Sequence, residues 1–301
     1  MNSLFIETPV LQSVPLSERT GRAIHMKMEN LQPSGSFKMR GISVMCQYML
    51  SHGQQQLISS SGGNAGYTAA YTGHMLGVPA TIFVPETTNE HVVQMMKKAG
   101  ADVRKHGRFW EEAHTAALAF AKENHAEVIH PFDNPVIWEG HATMIDEIVK
   151  QTSKPDAVLL TVGGGGLMAG VAMGLKRHGW TDVDIIAVET LGADSLSQAI
   201  KAGHPVRLEA ITSSVKTLGA NQVCDEAFRV TKEFGVHSIV VTDAEAIKAC
   251  KVFMEDHRML VEPACGAALS ILNNRHPVLG PYSNIMMIVC GGISFSVKDV
   301  L

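Results

Sequence analysis

Cysteine is scarce: five in 301 residues (Cys46, Cys224, Cys250, Cys265 and Cys290), an odd number with no CxxC spacing. That supports neither a disulfide framework nor a zinc cluster, and free thiols fit a reducing compartment. Long hydrophobic runs are missing too. No uninterrupted apolar stretch approaches the roughly 20 residues of a membrane span, and the N-terminus lacks the basic-then-apolar layout of a secretory signal. A soluble cytoplasmic protein with no membrane partner is therefore expected. There is no excess of positive charge, since 25 Lys and Arg stand against 29 Asp and Glu, a formal charge of −4. Without that excess there is no bulk attraction to nucleic acid. Fourteen histidines invite a metal site, but HExxH is absent and pairs such as His106 and His114 have no carboxylate at ligand spacing. Pro-rich linkers, low-complexity segments and internal repeats are also lacking, so any division into domains must be discontinuous in sequence.

What remains is 46% hydrophobic, enough to bury a sizeable core, and the 16 methionines serve as adaptable core filling. From about residue 56, short apolar runs alternate with amphipathic stretches. The runs are Leu57 to Ser59, Ala80 to Val84, Ala101 to Val103, Glu127 to Ile129, Ala157 to Val162 and Asp184 to Val188. This alternation predicts an α/β protein with parallel sheets. Asn89 to Ala99 has helical periodicity and stops at Gly100. Later come the run Ser238 to Val241, a helix with Asp243 as candidate N-cap, a helix after Pro263, and the run Ile285 to Cys290.

Chemistry concentrates in four Gly- or Ser-rich elements: PSGSFKMRG (Pro33 to Gly41), SSSGGNAG (Ser59 to Gly66), GGGG (Gly163 to Gly166) and CGGIS (Cys290 to Ser294). Three of them follow an extended run and precede a helix, where open α/β sheets bind ligands. The four glycines cost backbone entropy, so something must need close approach to a backbone without Cβ atoms. A phosphate fits, because free N–H groups and a positive helix end hold a dianion without Lys or Arg. The alternative use, tight packing of helix on sheet, remains open at this level. A nicotinamide dehydrogenase would share a Gly-rich turn and an acidic residue such as Glu189 further on, but it leaves the lysine and asparagine loops unexplained. Lys38 lies in a Ser/Gly-rich turn behind Phe37, an irregular context for a solvated helix lysine, and an imine-forming lysine needs such a partly dry setting. A phosphate cradle together with an imine-forming lysine points to pyridoxal 5′-phosphate.

PSGSFKMRG, SSGGNAG, PFDNP with WEGH, GGGGL, and VEPACGAAL with CGG, in this order from about Thr8 to Gly292, closely resemble the fold-type II pyridoxal phosphate family, in its serine dehydratase and serine dehydratase-like branch. The resemblance implies two lobes, each a largely parallel open sheet flanked by helices: a large catalytic lobe from residues 1–39 and 132–301, and a small lobe, 40–131, inserted in it. It implies that Lys38 is the Schiff-base lysine and later the base that takes the substrate Cα proton. Phe37 packs beside the cofactor ring, Asn64 bonds its phenolic oxygen, and Gly163, Gly164, Gly165, Gly166 and Leu167 cradle its phosphate. Cys290 stands where a group faces the pyridine nitrogen, and a thiol need not hold that ring protonated. Ser61, Gly62 and Asn64 match the loop that receives the substrate carboxylate; some relatives carry alanine where this chain has Gly62. Glu189, Ala193, Ser195, Leu218 and Ala220 resemble a monovalent-cation site for K+.

By this resemblance the chain is a dehydratase that eliminates water and ammonia from L-serine and L-threonine, working as a homodimer. Two alternatives are serine racemization, with Ser61 as the opposite-face acid, and a low-activity cofactor-binding regulatory protein, suggested by Gly62. Only Phe295 to Leu301 follow CGGIS, so no C-terminal regulatory domain and no isoleucine feedback are expected.

Overall fold

A computed structural model gives the conformation of residues 3–296 and 299. Of the segment after CGGIS, residues 297, 298, 300 and 301 lie outside the described residues. The chain runs β1 (Val10–Gln12), α1 (Val14–Thr20), β2 (Ala23–Lys27), α2 (Lys38–Ser51), β3 (Leu57–Ser59), α3 (Asn64–Leu76), β4 (Ala80–Val84), α4 (Glu90–Lys98), β5 (Asp102–Lys105), α5 (Trp110–Glu123) and β6 (Val128–Ile129). It continues with α6 (Pro135–Gln151), β7 (Ala157–Thr161), α7 (Gly166–Arg177), β8 (Asp184–Thr190), α8 (Ser195–Ala202), α9 (Asp225–Glu233), β9 (Val236–Val241), α10 (Asp243–His257), α11 (Pro263–Asn273) and β10 (Asn284–Ile288). The described chain is thus an α/β protein of the expected class, with two largely parallel sheets. None of its described helices is long and apolar enough to cross a membrane.

Strand order explains where ligands can sit. The larger sheet runs β1-β2-β10-β7-β8-β9, parallel except for the antiparallel edge pair β1 and β2. β7 leads outward to β8 and β9, whereas β10 returns to the other side of β7. The boundary between β7 and β10 is therefore a topological switch point, where the loops leaving the strands part and open a crevice. The smaller sheet, β5-β4-β3-β6, has its own switch between β3 and β6. β7 is buried at every residue, as is normal for a parallel strand covered on both faces, and this is why it reads as a continuous apolar run.

Several sequence expectations need correction. β1 and β2 precede residue 56, and β2 owes its place to β10, its partner from the far end of the chain. β5 extends to Lys105 on an exposed edge, where its charged residues hid it. The N-cap of α10 is Thr242, not Asp243: its hydroxyl accepts from Glu245 N while the Glu245 carboxylate accepts from Thr242 N, a closed capping box. Lys38 is not within a turn but is the first residue of α2. Cys290 lies two residues beyond the end of β10.

Beneath Lys38 the fold carries a buried charge cluster. Arg40 and Glu29 are fully buried and bonded through both carboxylate oxygens, Nε to Oε2 and Nη2 to Oε1 at 2.8 Å each. Arg40 also bonds Glu147 through both oxygens at 2.6 Å. Lys27 Nζ donates to Glu147 Oε2 at 2.5 Å and to the Thr8 carbonyl at 2.6 Å. Two acids and two bases cancel, and together they tie α2 to α6, β2 and the N-terminal segment.

Candidate active site

The four elements read from sequence converge where the two switch points face each other. After β7 comes the tetraglycine; after β10 come Cys290, Gly291 and Gly292; after β3 comes the serine-glycine loop; after β6 come His130 and Pro131. Thr161 Oγ1 and Cys290 Sγ are 3.8 Å apart across the β7–β10 boundary. Phe37 N donates to the Cys290 carbonyl at 3.0 Å, and Ser36 bridges Gly291, so the start of α2 is fastened to the loop after β10. A Cβ at Gly291 would overlap the Gly35 carbonyl, which explains the first glycine of CGG.

Lys38 projects from this junction. Its Nζ donates to the Pro131 carbonyl at 2.6 Å and lies 5.1 Å from the Phe37 ring centre. Burial lowers its pKa to about 8, against the opposing pull of Glu262. The amine thus has a neutral fraction near neutral pH, as a nucleophile requires. Phe37 rests on His141, with ring centres 4.9 Å apart. His141 is fully buried with neither ring nitrogen hydrogen-bonded among the described residues, and burial first, then Lys38 and Arg40, holds it well below the usual histidine range. Next to Pro131, His130 is pushed down to about 4 by burial, with His114 and Lys38 adding to the effect.

The tetraglycine serves two ends. Gly165 has φ +90°, and side chains at Gly164 or Gly165 would overlap Phe132 or Ala227, so part of its demand for glycine is packing. On its other side the N–H groups of Gly163 to Met168 meet no acceptor among the described residues, and they sit at the N-terminus of α7. A row of free N–H groups at a positive helix end, with no Cβ in the way, fits a phosphate dianion. Leu167 is buried in the first turn of α7.

Asn64 opens α3 and is nearly buried. Its Oδ1 accepts from Ile293 N at 3.0 Å and its Nδ2 donates to Glu262 Oε1 at 2.8 Å. In the adjoining loop the Ser61 hydroxyl accepts from Gly63 N, and Gly63 is the N-cap of α3. A Cβ at Gly62 would lie 2.6 Å from Thr88 Oγ1, so the glycine there answers to Thr88. Cys290 is buried, and its neighbour Cys265 together with burial keeps the thiol far above its usual range and hence neutral.

The residues of the expected cation site fall in two groups. Glu189, on β8, accepts from Leu196 N and Ser197 N at 2.8 Å each, closing the start of α8 over Ala193 and Ser195. Burial pushes its carboxyl up to about 8. The Ser195 hydroxyl is buried with no partner among the described residues. Leu218 and Ala220 occupy a separate turn, in which Ala220 N donates to the Leu218 carbonyl at 2.8 Å. Leu218 also backs Gly163, since a Cβ there would come within 3.1 Å of its Cα.

Sequence reading gave no role to Glu262, although VEPACGAAL contains it, nor to His130 and His141. A carboxylate just before a helix-opening proline and a histidine in the second turn of α6 were the available signals.

Known proteins are similar to this chain over nearly its whole length. Human serine dehydratase-like is 44% identical, with 98% of this chain and 92% of that protein covered. Human L-serine dehydratase/L-threonine deaminase is also 44% identical, covering 99% and 94%. The crystal structure of a fungal L-serine ammonia-lyase from Rhizomucor miehei superposes with a TM-score of 0.94 at 34% identity, covering 99% of this chain and 98% of that one. The family described as pyridoxal-phosphate dependent enzyme matches residues 2–291. With a desolvated lysine, a side-chain-free anion cradle and this extent of likeness, the chain belongs to the pyridoxal-phosphate dependent enzyme family.

Proposed function

We propose that this protein is an L-serine and L-threonine dehydratase, which eliminates the β-hydroxyl and releases pyruvate or 2-oxobutyrate with ammonia. The observation that carries the reading is Lys38, a partly buried amine with a pKa lowered to about 8, held against the Pro131 carbonyl, in a chain whose relatives bear the names serine dehydratase and serine dehydratase-like. Bound pyridoxal phosphate supplies an electron sink for charge developing at the substrate Cα. Gly163 to Leu167 would hold its phosphate by backbone N–H groups, Phe37 would pack its ring, Asn64 would bond its phenolic oxygen, and the neutral Cys290 thiol would face its ring nitrogen.

Lys38 Nζ would hold the cofactor, and as a free amine it would take the substrate Cα proton, a role its lowered pKa suits. Ser61, Gly62 and Asn64, at the N-terminus of α3, would receive the substrate carboxylate, where a helix start favours an anion. Burial holds His141, beneath Phe37, well below the usual histidine range, so this neighbour brings no competing proton to the amine. Water lost from the substrate is regained when the enamine product hydrolyses in solution, so the balance is amino acid to keto acid plus ammonia.

Glu189, Ala193, Ser195, Leu218 and Ala220 are proposed to hold K+ through oxygen ligands. The division into a large lobe (1–39 and 132–301) and an inserted small lobe (40–131) is our reading too, supported by the confinement of the four-stranded sheet to residues 57–129. A homodimer is inferred from the family resemblance; a cytoplasmic setting is inferred from five free, buried thiols. The test is incubation of the purified yellow protein with L-serine, D-serine and L-threonine. Keto acid and ammonia in equal amounts from the L-isomers are expected. Appearance of the opposite enantiomer as main product would favour a racemase, and absence of any product would refute enzymatic function.

A further inference from the structure

Glu262 is a buried acid that the reaction above leaves idle. It is the N-cap residue of α11, yet its side chain does not cap the helix. The carboxylate instead reaches across the site: Oε1 accepts from Asn64 Nδ2 at 2.8 Å, and Oε2 accepts from Ser294 Oγ at 2.6 Å and from Ser294 N at 3.4 Å. The Thr217 side chain is a further donor. Gly292, with φ +128°, has no side chain because a Cβ there would overlap the Glu262 carboxyl group. The second glycine of CGG is therefore a passage for this carboxylate.

Two consequences follow from the partners. Every polar neighbour is a donor to the carboxylate, a set that suits the ionised form even though burial raises the carboxyl pKa. Moreover, the Asn64 amide is held at both ends: Ile293 N–H fixes which atom is oxygen, and Glu262 fixes which is nitrogen. One of the two Nδ2 hydrogens is left to donate elsewhere. The ionisable groups that act with Glu262 are Lys38 on α2, Cys250 on α10 and Cys290 after β10. Both thiols are held neutral by burial and neighbours, Cys250 being pushed up to about 12, so Lys38 is the cation that answers the acid.

We propose that Glu262 is a positioning residue whose negative charge fixes the Asn64 amide with an N–H toward the cofactor and favours the protonated state of the Lys38–cofactor linkage. This rests on the reading of Lys38 and Asn64 given above. An isosteric Glu262→Gln variant keeps the bulk and the acceptor for Asn64 but removes the charge. Losing a negative charge beside a cationic centre lowers that centre's pKa.

The measurement is a pH titration of the visible absorption of the lysine-linked cofactor in the holoenzyme, without substrate. The midpoint in Glu262→Gln should fall by about one unit, a tenfold change in acid strength, with kcat reduced more than KM. Glu262→Asp, which keeps the charge, should restore most of the midpoint. Ser294→Ala, which removes a donor from the carboxylate, should shift it the same way by less, and it carries the test should Glu262→Gln fail to fold. A folded Glu262→Gln, or failing that a Ser294→Ala, that titrates like the parent would overturn the proposal. Asn64→Ala separates the two layers. If it leaves the titration unchanged, the reading of Asn64 itself fails; if it shifts the midpoint and Glu262→Gln does not, only the role of Glu262 fails.

Discussion

Replacing Arg40 by methionine probes the platform under Lys38. The guanidinium is fully buried and makes two-point bonds to both Glu29 and Glu147 at 2.6 to 2.8 Å, with a further bond to Thr143 Oγ1 at 2.9 Å. Methionine fills much of the same volume but leaves two buried carboxylates facing Lys27 alone, an excess of one negative charge. Hydrogen bonds to charged groups are worth about 1.5–3 kcal/mol singly. Four of them do not add, because Lys27, Thr8 and Gln32 still serve the stranded acids. Breaking one side of such a buried pair costs about 3–5 kcal/mol. With a urea slope of about 3 kcal/mol/M, a loss of about 4 kcal/mol moves the unfolding midpoint down by about 1.3 M. The experiment is urea unfolding followed by circular dichroism at one fixed, saturating pyridoxal phosphate concentration, because bound cofactor itself shifts the midpoint.

The pH dependence sharpens that test. The folded variant can relieve its excess charge by binding a proton that the unfolded chain does not bind at the same pH. The deficit relative to the parent should therefore shrink as pH falls from 8 to 5.5, by at most about 1.4 kcal/mol per unit. A midpoint change under about 0.3 M, or a deficit unaltered by pH, would refute the claim that this cluster is a mutually compensated charge set. Since Lys38 lies two residues before Arg40 on α2, cofactor affinity should fall along with stability.

In cofactor-free protein, Lys38 should react with an amine reagent with a rate midpoint near pH 8, where an ordinary lysine gives about 10.4; a midpoint near the ordinary value would show that its burial is not effective. Gly163→Ala should weaken pyridoxal phosphate binding at least about tenfold with a smaller effect on the melting temperature of the cofactor-free protein, because its Cβ, within 3.1 to 3.3 Å of the Leu218 backbone, pushes the Gly163 peptide and its N–H out of place. Equal binding would leave the glycines with packing alone. Activity should be higher in potassium than in a large organic cation at equal ionic strength, and Glu189→Ala should reduce the difference; identical rates in both salts would remove the cation site.

Some of this protein was determined by local sequence. Each glycine-, serine- or asparagine-bearing loop could be found because a strand-to-helix turn that exposes N–H groups has few residue choices, and those choices are local. The loops that carry Lys38, Asn64, the tetraglycine and Cys290 stood out for that reason, while the roles of Asn64 and Cys290 came from the family resemblance. The far end of the edge strand β5 was obscured because its exposed residues carry charge, and β1 and β2 because three to five residues hold too little periodicity. Tertiary structure alone decided the rest. Strand order, with β10 returning between β2 and β7, brought residues 36 and 291 side by side. Glu262 meets Asn64 from 198 positions away, and Arg40 meets Glu147 from 107. The pKa of Lys38 belongs to this second class as well: Phe37 beside it points to a dry setting, but the extent of desolvation and the opposing field of Glu262 are properties of what surrounds an amine in space.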